Sequence, residues 1–302
     1  MTPFESSRQM FPRGFTIIGT GRLGSSLALR LHNKGYLIRS LYNRSLASCE
    51  RIAGSTGTEI FGTYPATPAE LGDVVFLCLP DDQIAGFAEK TGLLKDGPAW
   101  VHTSGAAPAE VLLPLSPGGT GIASMHPVQT FTARNRETAF NQCFVTLQGD
   151  PELCGNLKKV VEAIGARPII VDRHQKTAIH LAAVFVCNYM APLFHASQEL
   201  LTDNGIEVRS RDLFGPMVRQ TVEGLLSHPP AEVLTGPIVR GDAGTIDQHL
   251  DILENSPKWD PLYRQLGKVT LRLARTLEER DSSSDSELYR RFLPKNQDVP
   301  DE

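Results

Sequence analysis

The sequence predicts an α/β domain built on a doubly wound parallel sheet, followed by an all-α domain. Three observations carry that expectation. Short β-rich apolar runs alternate with helical stretches from Phe15 to Val171. One of them, Asp73–Leu79, is apolar without alternation after its first residue, as a strand covered on both faces must be. Beyond Asp172 only amphipathic helical patterns remain.

Taken in order, Phe15–Ile18 reads as the first strand and Ser25–Asn33, with Leu27, Ala28 and Leu31 on one face, as the first helix. Lys34-Gly35 closes that helix. Tyr36–Tyr42 is a strand, Ser45–Ala53 a helix and Asp73–Leu79 the central strand. Ala99–His102, Gly121–Ser124 and Phe144–Leu147 are three further strands; a helix over Pro151–Ile164 leads to a last strand, Pro168–Val171. Arg173–Leu201 reads as one long helix interrupted only by Pro192, and Arg211–Leu226, Thr245–Leu253 and Pro261–Glu279 as further helices. The expected domains are 1–172, 173–280 and a Ser/Asp/Glu-rich tail, 281–302, without structure of its own.

Composition narrows the classes. The chain has 302 residues, 41% of them apolar and 21% charged, enough for two cores without disulfides or structural metal. A net charge of −4 offers nucleic acid or an anionic membrane no attraction. Five cysteines without a C-x-x-C pair form neither a disulfide framework nor a zinc cage. The first thirteen residues hold no apolar leader core, and Leu181–Cys187 is far short of a membrane span. The expectation is a cytoplasmic protein with no metal site.

Between the first strand and first helix stands Gly19-Thr20-Gly21-Arg22-Leu23-Gly24, a G-x-G-x-x-G in the strand–turn–helix setting of a dinucleotide site. In such a Rossmann turn Gly19 permits the tight bend, Gly21 lets a pyrophosphate approach the backbone, and Gly24 allows close helix–strand packing. The phosphates then meet free N–H groups at the helix start. After the second strand, where an NAD site carries a carboxylate for the ribose, the chain has Asn43-Arg44-Ser45. Arg44 suits the extra phosphate of NADP(H), although an arginine facing solvent at a helix start reads the same way. Leu79-Pro80 ends the central strand at the carboxyl edge and is expected along the cofactor path; Asp81 and Asp82 read as caps of the next helix.

Ser104, in His102-Thr103-Ser104-Gly105, and His126, in Ser124-Met125-His126-Pro127, follow predicted strands at the same edge. Each can hydrogen-bond a reacting oxygen or a substrate carboxylate, or serve as a turn residue. Lys176, His180 and Asn188 fall within one third of the circumference of a helix that is otherwise apolar and so expected to be buried. Lys176 can polarise a carbonyl or imine or supply a proton, with Asn188 fixing the substrate or the lysine; an exposed lysine and a satisfied core histidine are the plain alternative. In Leu234–Asp242, Arg240 can clamp a substrate carboxylate while Asp242 orients Arg240 or His249, or the two can form an ion pair in a helix connector.

With these motifs in place, the chain from Phe15 to Glu279 resembles the Rossmann-like proteins with a C-terminal helical domain of uncharacterised function, provisionally catalogued as NADP oxidoreductases. The residues carrying the likeness are His102-Thr103-Ser104-Gly105-Ala106, Ser124-Met125-His126-Pro127, and Leu234-Thr235-Gly236-Pro237 with Arg240-Gly241-Asp242. It is more distantly similar to pyrroline-5-carboxylate reductase, ketopantoate reductase and the 6-phosphogluconate dehydrogenase superfamily. The resemblance implies a homodimer formed through the helical domain and a lysine–asparagine pair on its first long helix. Lys176 matches the lysine, His180 stands where the asparagine is expected, and Asn188 is displaced. His126-Pro127 is similar to the His-Pro pair of prephenate dehydrogenases, without the glycine that follows it there. The expected function is hydride transfer between NADP(H) and a small carboxylated carbonyl, imine or alcohol. A redox-silent NADP-binding sensor or scaffold is the competing reading.

Overall fold

The structure is a computed structural model, and it describes residues 10–91, 97–134, 138–277 and 283–294. Eight strands form one sheet: β1 Phe15–Ile18, β2 Ile38–Tyr42, β3 Ile60–Gly62, β4 Val74–Leu77, β5 Ala99–His102, β6 Ile122–Pro127, β7 Phe144–Gly149 and β8 Arg167–Ile170. Their order is β3-β2-β1-β4-β5-β6-β7-β8, so the winding direction reverses between β1 and β4. Ligands of open α/β sheets lie at that reversal, beyond the carboxyl ends of the strands.

Residues on β4 show why both faces are covered. Val74 and Phe76 join one apolar cluster, with Leu27 and Leu31 of α1 (Arg22–Asn33), Ile52 of α2 (Leu46–Thr56) and Val160 of α4 (Pro151–Ala163). Val75 and Leu77 join the other, with Ile84 and Ala88 of α3 (Asp81–Lys90) and Leu112 and Leu115 of a 3₁₀ segment, Ala109–Leu115. Successive side chains of a strand point to opposite faces, so an unbroken apolar run is what a two-sided core demands.

The sheet departs from the all-parallel expectation at one place. β6 and β7 are antiparallel, whereas every other neighbouring pair is parallel. The chain between them, 128–143, has no helix among its described residues, and a strand that returns without a crossover pairs antiparallel. β6 also runs three residues beyond its predicted end, so Met125, His126 and Pro127 belong to the strand. The three-residue edge strand β3 is half-exposed, and no apolar run announces it.

By internal packing the chain divides into two units, 1–185 and 186–302. The division falls thirteen residues beyond Asp172, inside the predicted long helix. That helix is α5 (Arg173–Ala183), a π-helical turn (Val184–Asn188) and α6 (Met190–Asp203). The regular α-helix is broken just before Pro192, whose missing N–H and ring act on the carbonyl four residues back, Asn188, where the π-helical turn ends. The expected burial of this helix is corrected as well: in the single chain Leu181 is 54%, Phe185 62% and Val186 74% exposed. Apolar periodicity signals a face to be covered without saying by what. Arg173–Asp203 is also 31 residues with a window of mean hydropathy 1.5, long and apolar enough to cross a bilayer by length and composition.

The second unit continues with α7 (Ser210–Ser227), the short α8 (Pro230–Val233) and α9 (Pro237–Arg240), then α10 (Ala243–Leu253) and α11 (Asp260–Ala274). The expected unstructured tail is corrected where it is described: Asp285–Arg291 forms α12, and Leu288 and Phe292 are fully buried against Ile246 and Leu271. Arg275–Asp285 (2.8 Å) and Arg291–Asp247 (2.6 Å) pair it to the helices beneath. The polar composition of the segment hides an apolar pair at i, i+4. Residues 281, 282 and 295–302 of the predicted tail lie outside the described residues.

Candidate active site

The turn after β1 is shaped by what each glycine faces. Gly19 has φ +100°, and a Cβ there would lie 2.3 Å from the Cys78 carbonyl oxygen of the neighbouring strand end. At Gly24 a Cβ would come within 1.9 Å of the Gly19 carbonyl oxygen, so α1 can start this close to the turn only without one. Gly21 is different: a Cβ would meet nothing within 4 Å, and no side chain caps the helix it begins. Three N–H groups at the head of α1 therefore have no intrahelical acceptor, and the turn beside them is open at Gly21. Thr20 is turned into the protein, its Oγ1 donating to Ser48 Oγ at 2.9 Å, with Arg22 and Leu23 behind it on the first turn of α1.

A cleft of about 640 Å³ opens over this turn. Of the residues expected along a cofactor, Gly19, Gly21, Asn43, Arg44, Leu79 and Pro80 line it. Ser45 is at the N-cap position of α2 and its side chain caps nothing. The far wall, which the sequence reading missed, includes Thr63, Tyr64, Gln83, Phe87 and Lys90. Tyr64 donates to Thr91 Oγ1 at 2.9 Å, tying the end of β3 to the end of α3. Thr63 and Tyr64 follow the strand that went unrecognised, and Gln83, Phe87 and Lys90 lie on α3, where only Asp81 and Asp82 had been singled out. Asp81 and Asp82 occupy the first turn of α3, with Pro80 in the cap position, so they favour its dipole without capping it.

Lys176 is the one buried residue of α5, 2% exposed on a helix that is otherwise open. Asp172 and Gln175 form a capping box that sets where the helix starts, and hence which way Lys176 faces. Its Nζ donates to the Ala107 carbonyl. Ser104 is committed to the turn that carries Ala107: its Oγ accepts from the N–H of Ala106 (3.2 Å) and of Ala107 (2.9 Å). One turn after Lys176, His180 stands edge-on to His126, ring centroids 5.9 Å apart. Both rings converge on Gly105, where a Cβ would lie 2.6 Å from His180 Nδ1 and 2.8 Å from His126 Nε2. His126 Nδ1 lies 3.1 Å from the Thr103 carbonyl, which only accepts, so Nδ1 carries the proton and Nε2 presents a lone pair.

Burial sets the charges here. It pushes Lys176 down to about 8, against the nearby carboxylates of Asp81 and Glu110. It lowers His102 to about 4 and His126 below its ordinary value, with the Lys176 charge adding to both shifts. Near neutral pH the site therefore holds one ammonium that releases its proton readily and two neutral imidazoles.

The remaining candidates lie in the second unit. Asn188 is exposed in the π-helical turn. Arg240 is exposed at the end of α9. Asp242 caps α10, its Oδ1 accepting from the Thr245 N–H (3.0 Å) and its Oδ2 from the Thr245 hydroxyl (2.6 Å), and the charges of Arg240 and His249 act on it from nearby. His249 Nδ1 pairs with the Tyr263 hydroxyl at 2.8 Å. No cluster of metal-ligand type occurs among the described residues.

Comparison with known proteins agrees with this architecture. Residues 3–127 match the Rossmann-like domain, and residues 143–270 match a domain of unknown function, DUF2520. A Bacteroides fragilis protein provisionally named NADP oxidoreductase is 26% identical, covering 85% of this chain and 97% of its own, with a TM-score of 0.67. A Thermotoga maritima protein is 24% identical over 87% of this chain and 98% of its own, TM-score 0.70. The imine reductase of Myxococcus stipitatus, solved with NADP+, shares the fold at 14% identity, covering 91% and 99%, TM-score 0.59. No curated protein matches the chain.

Proposed function

We propose that this chain, a Rossmann-like domain followed by a DUF2520 domain, is an NADP-dependent oxidoreductase acting on a small carboxylated carbonyl, imine or alcohol. The observation that carries the reading is the open face of Gly21 at the head of an uncapped helix, in a cleft that also contains Arg44. That arrangement fits a dinucleotide: the backbone N–H groups of Arg22, Leu23 and Gly24 take the pyrophosphate, and the guanidinium of Arg44 takes the 2′-phosphate. The provisional name of the Bacteroides protein and the NADP+ held by the imine reductase support the choice of nucleotide.

When bound, NADP(H) supplies or accepts the hydride. The chain's own residues handle the proton. Lys176, poised near pH 8 beneath the Ala107 carbonyl, delivers a proton to the carbonyl oxygen or imine nitrogen as the hydride arrives, or removes it in the reverse direction. His126 offers its bare Nε2 to an O–H or N–H of the substrate, with His180 across Gly105. The cytoplasm is the proposed setting, supported by five cysteines all present as free thiols.

Calorimetric titration tests the nucleotide: NADPH is expected to bind at least about tenfold more tightly than NADH, and Arg44→Ala to remove most of that difference. Equal affinities would sink NADP, and binding of neither would sink the enzyme. Oxidation of NADPH against a panel of keto acids and cyclic imines then separates the enzyme from a redox-silent sensor. Steady turnover that Lys176→Ala reduces about 100-fold or more, with NADPH affinity kept, is the expected result.

A further inference from the structure

His102 ends β5 wholly buried, and the proton chemistry above makes no use of it. Its two nitrogens are nonetheless both engaged, and their partners fix its state. Nδ1 accepts from the Ser104 N–H at 3.2 Å, so it bears no proton. Nε2 lies 3.1 Å from the Pro108 carbonyl oxygen, which can only accept, so Nε2 is the N–H. The imidazole thus grips the turn 103–108 near its beginning and at its end. Inside the turn, Ser104 Oγ holds the N–H groups of Ala106 and Ala107. The Ala107 carbonyl, between the Ala107 N–H held by Ser104 and the Pro108 carbonyl held by His102, accepts from Lys176 Nζ.

We propose that His102 is the positioning residue for Lys176: by pinning both ends of the 103–108 turn, it aims the Ala107 carbonyl at the lysine ammonium and keeps water from it. His102 touches no reacting atom in this arrangement. It works only as the neutral Nε2–H tautomer, since a protonated ring would lose the acceptor that holds Ser104. The inference deepens the reading of Lys176 as the proton-handling group, yet its test needs neither nucleotide nor substrate, so each can fail without the other.

The readout is the ionisation of Lys176 itself, in the full-length protein, by competitive acetic anhydride labelling across pH with mass spectrometry of the Lys176 peptide. The groups facing the ammonium are Asp81 from α3, Glu110 from the 3₁₀ segment, His102 from β5 and His126 from β6. Burial lowers both histidines from the ordinary imidazole value, away from the alkaline range, so the alkaline midpoint reports Lys176. It is expected near 8 in the wild type. In His102→Ala the turn loosens, water reaches the ammonium, and the midpoint rises by about one unit or more, a tenfold fall in free amine at a given pH. His102→Gln keeps a donor for the Pro108 carbonyl and is expected within a few tenths of a unit of wild type; His102→Asn reaches only the Ser104 N–H and is expected to shift upward. A folded His102→Ala with an unmoved midpoint overturns the proposal. Should that variant not fold, the Gln and Asn variants decide: different midpoints support positioning, and equal ones overturn it.

Discussion

Lys176 sets stability against chemistry. Its pKa falls from 10.5 to about 8, so the buried ammonium costs on the order of 3 kcal/mol at neutral pH. The folded state binds the proton more weakly than the unfolded chain does. The cost is therefore fully present below about pH 8 and is relieved as pH rises through 8 towards 10.5. Lys176→Met is expected to stabilise the protein by about 1–3 kcal/mol at pH 7 while abolishing turnover, and to lose that advantage at high pH; urea titrations at several pH values check both limbs. His102, lowered to about 4, behaves similarly in a different window. The unfolded imidazole takes up a proton near pH 6.5 and the folded one does not, so stability is expected to decline from pH 6.5 to pH 4. His102→Gln should flatten that decline in the same experiment. Lys176 and His126 were legible as polar residues in apolar or strand-end settings. His102 was passed over because its partners are backbone groups of its own turn, which a sequence displays only as letters.

Among the elements, the glycine turn and the last helix invite opposite experiments. Gly21→Ala adds a methyl to open space at a φ of −69°, so it should leave the melting temperature within a few degrees while weakening NADPH binding about tenfold or more. Gly24→Ala drives the same methyl into the Gly19 carbonyl and is expected to cost about 2 kcal/mol or more of stability as well as binding. Thermal melts and a nucleotide titration on the two variants separate contact with the ligand from packing of the fold. α12 was illegible for a reason of averaging. Its Ser/Asp/Glu content outweighs two apolar residues in composition, yet Leu288 and Phe292 are buried completely. Leu288→Ala should destabilise the protein by about 2–4 kcal/mol, which no unstructured tail would do. The antiparallel β6–β7 pair was equally invisible, since strand runs carry no direction and only the lack of a crossover between them sets it.

At the scale of the whole molecule, the single chain leaves large apolar side chains exposed in each of its two units. Leu181, Phe185, Val186 and Met190 are exposed along the α5–α6 run, and Leu213, Met217 and Leu226 along α7. A second copy of the chain is the proposed cover, and sedimentation should show a dimer that Phe185→Glu with Val186→Glu converts to monomer. Unchanged sedimentation of that variant would remove this face from the interface. The sequence by itself determined the alternation of strands and helices, the two-faced burial of β4, the G-x-G-x-x-G turn and the change to helices after Asp172, because each is written in local periodicity or in a glycine's missing side chain. Only the tertiary structure decided that Lys176 alone of its helix faces inward, that His126 and His180 meet over Gly105, that Asp242 accepts from Thr245 as a cap and that Asp285–Arg291 packs as a helix. Those facts depend on which distant segment supplies the partner, and hydrogen bonds and burial between residues far apart in the chain leave no periodic trace to read.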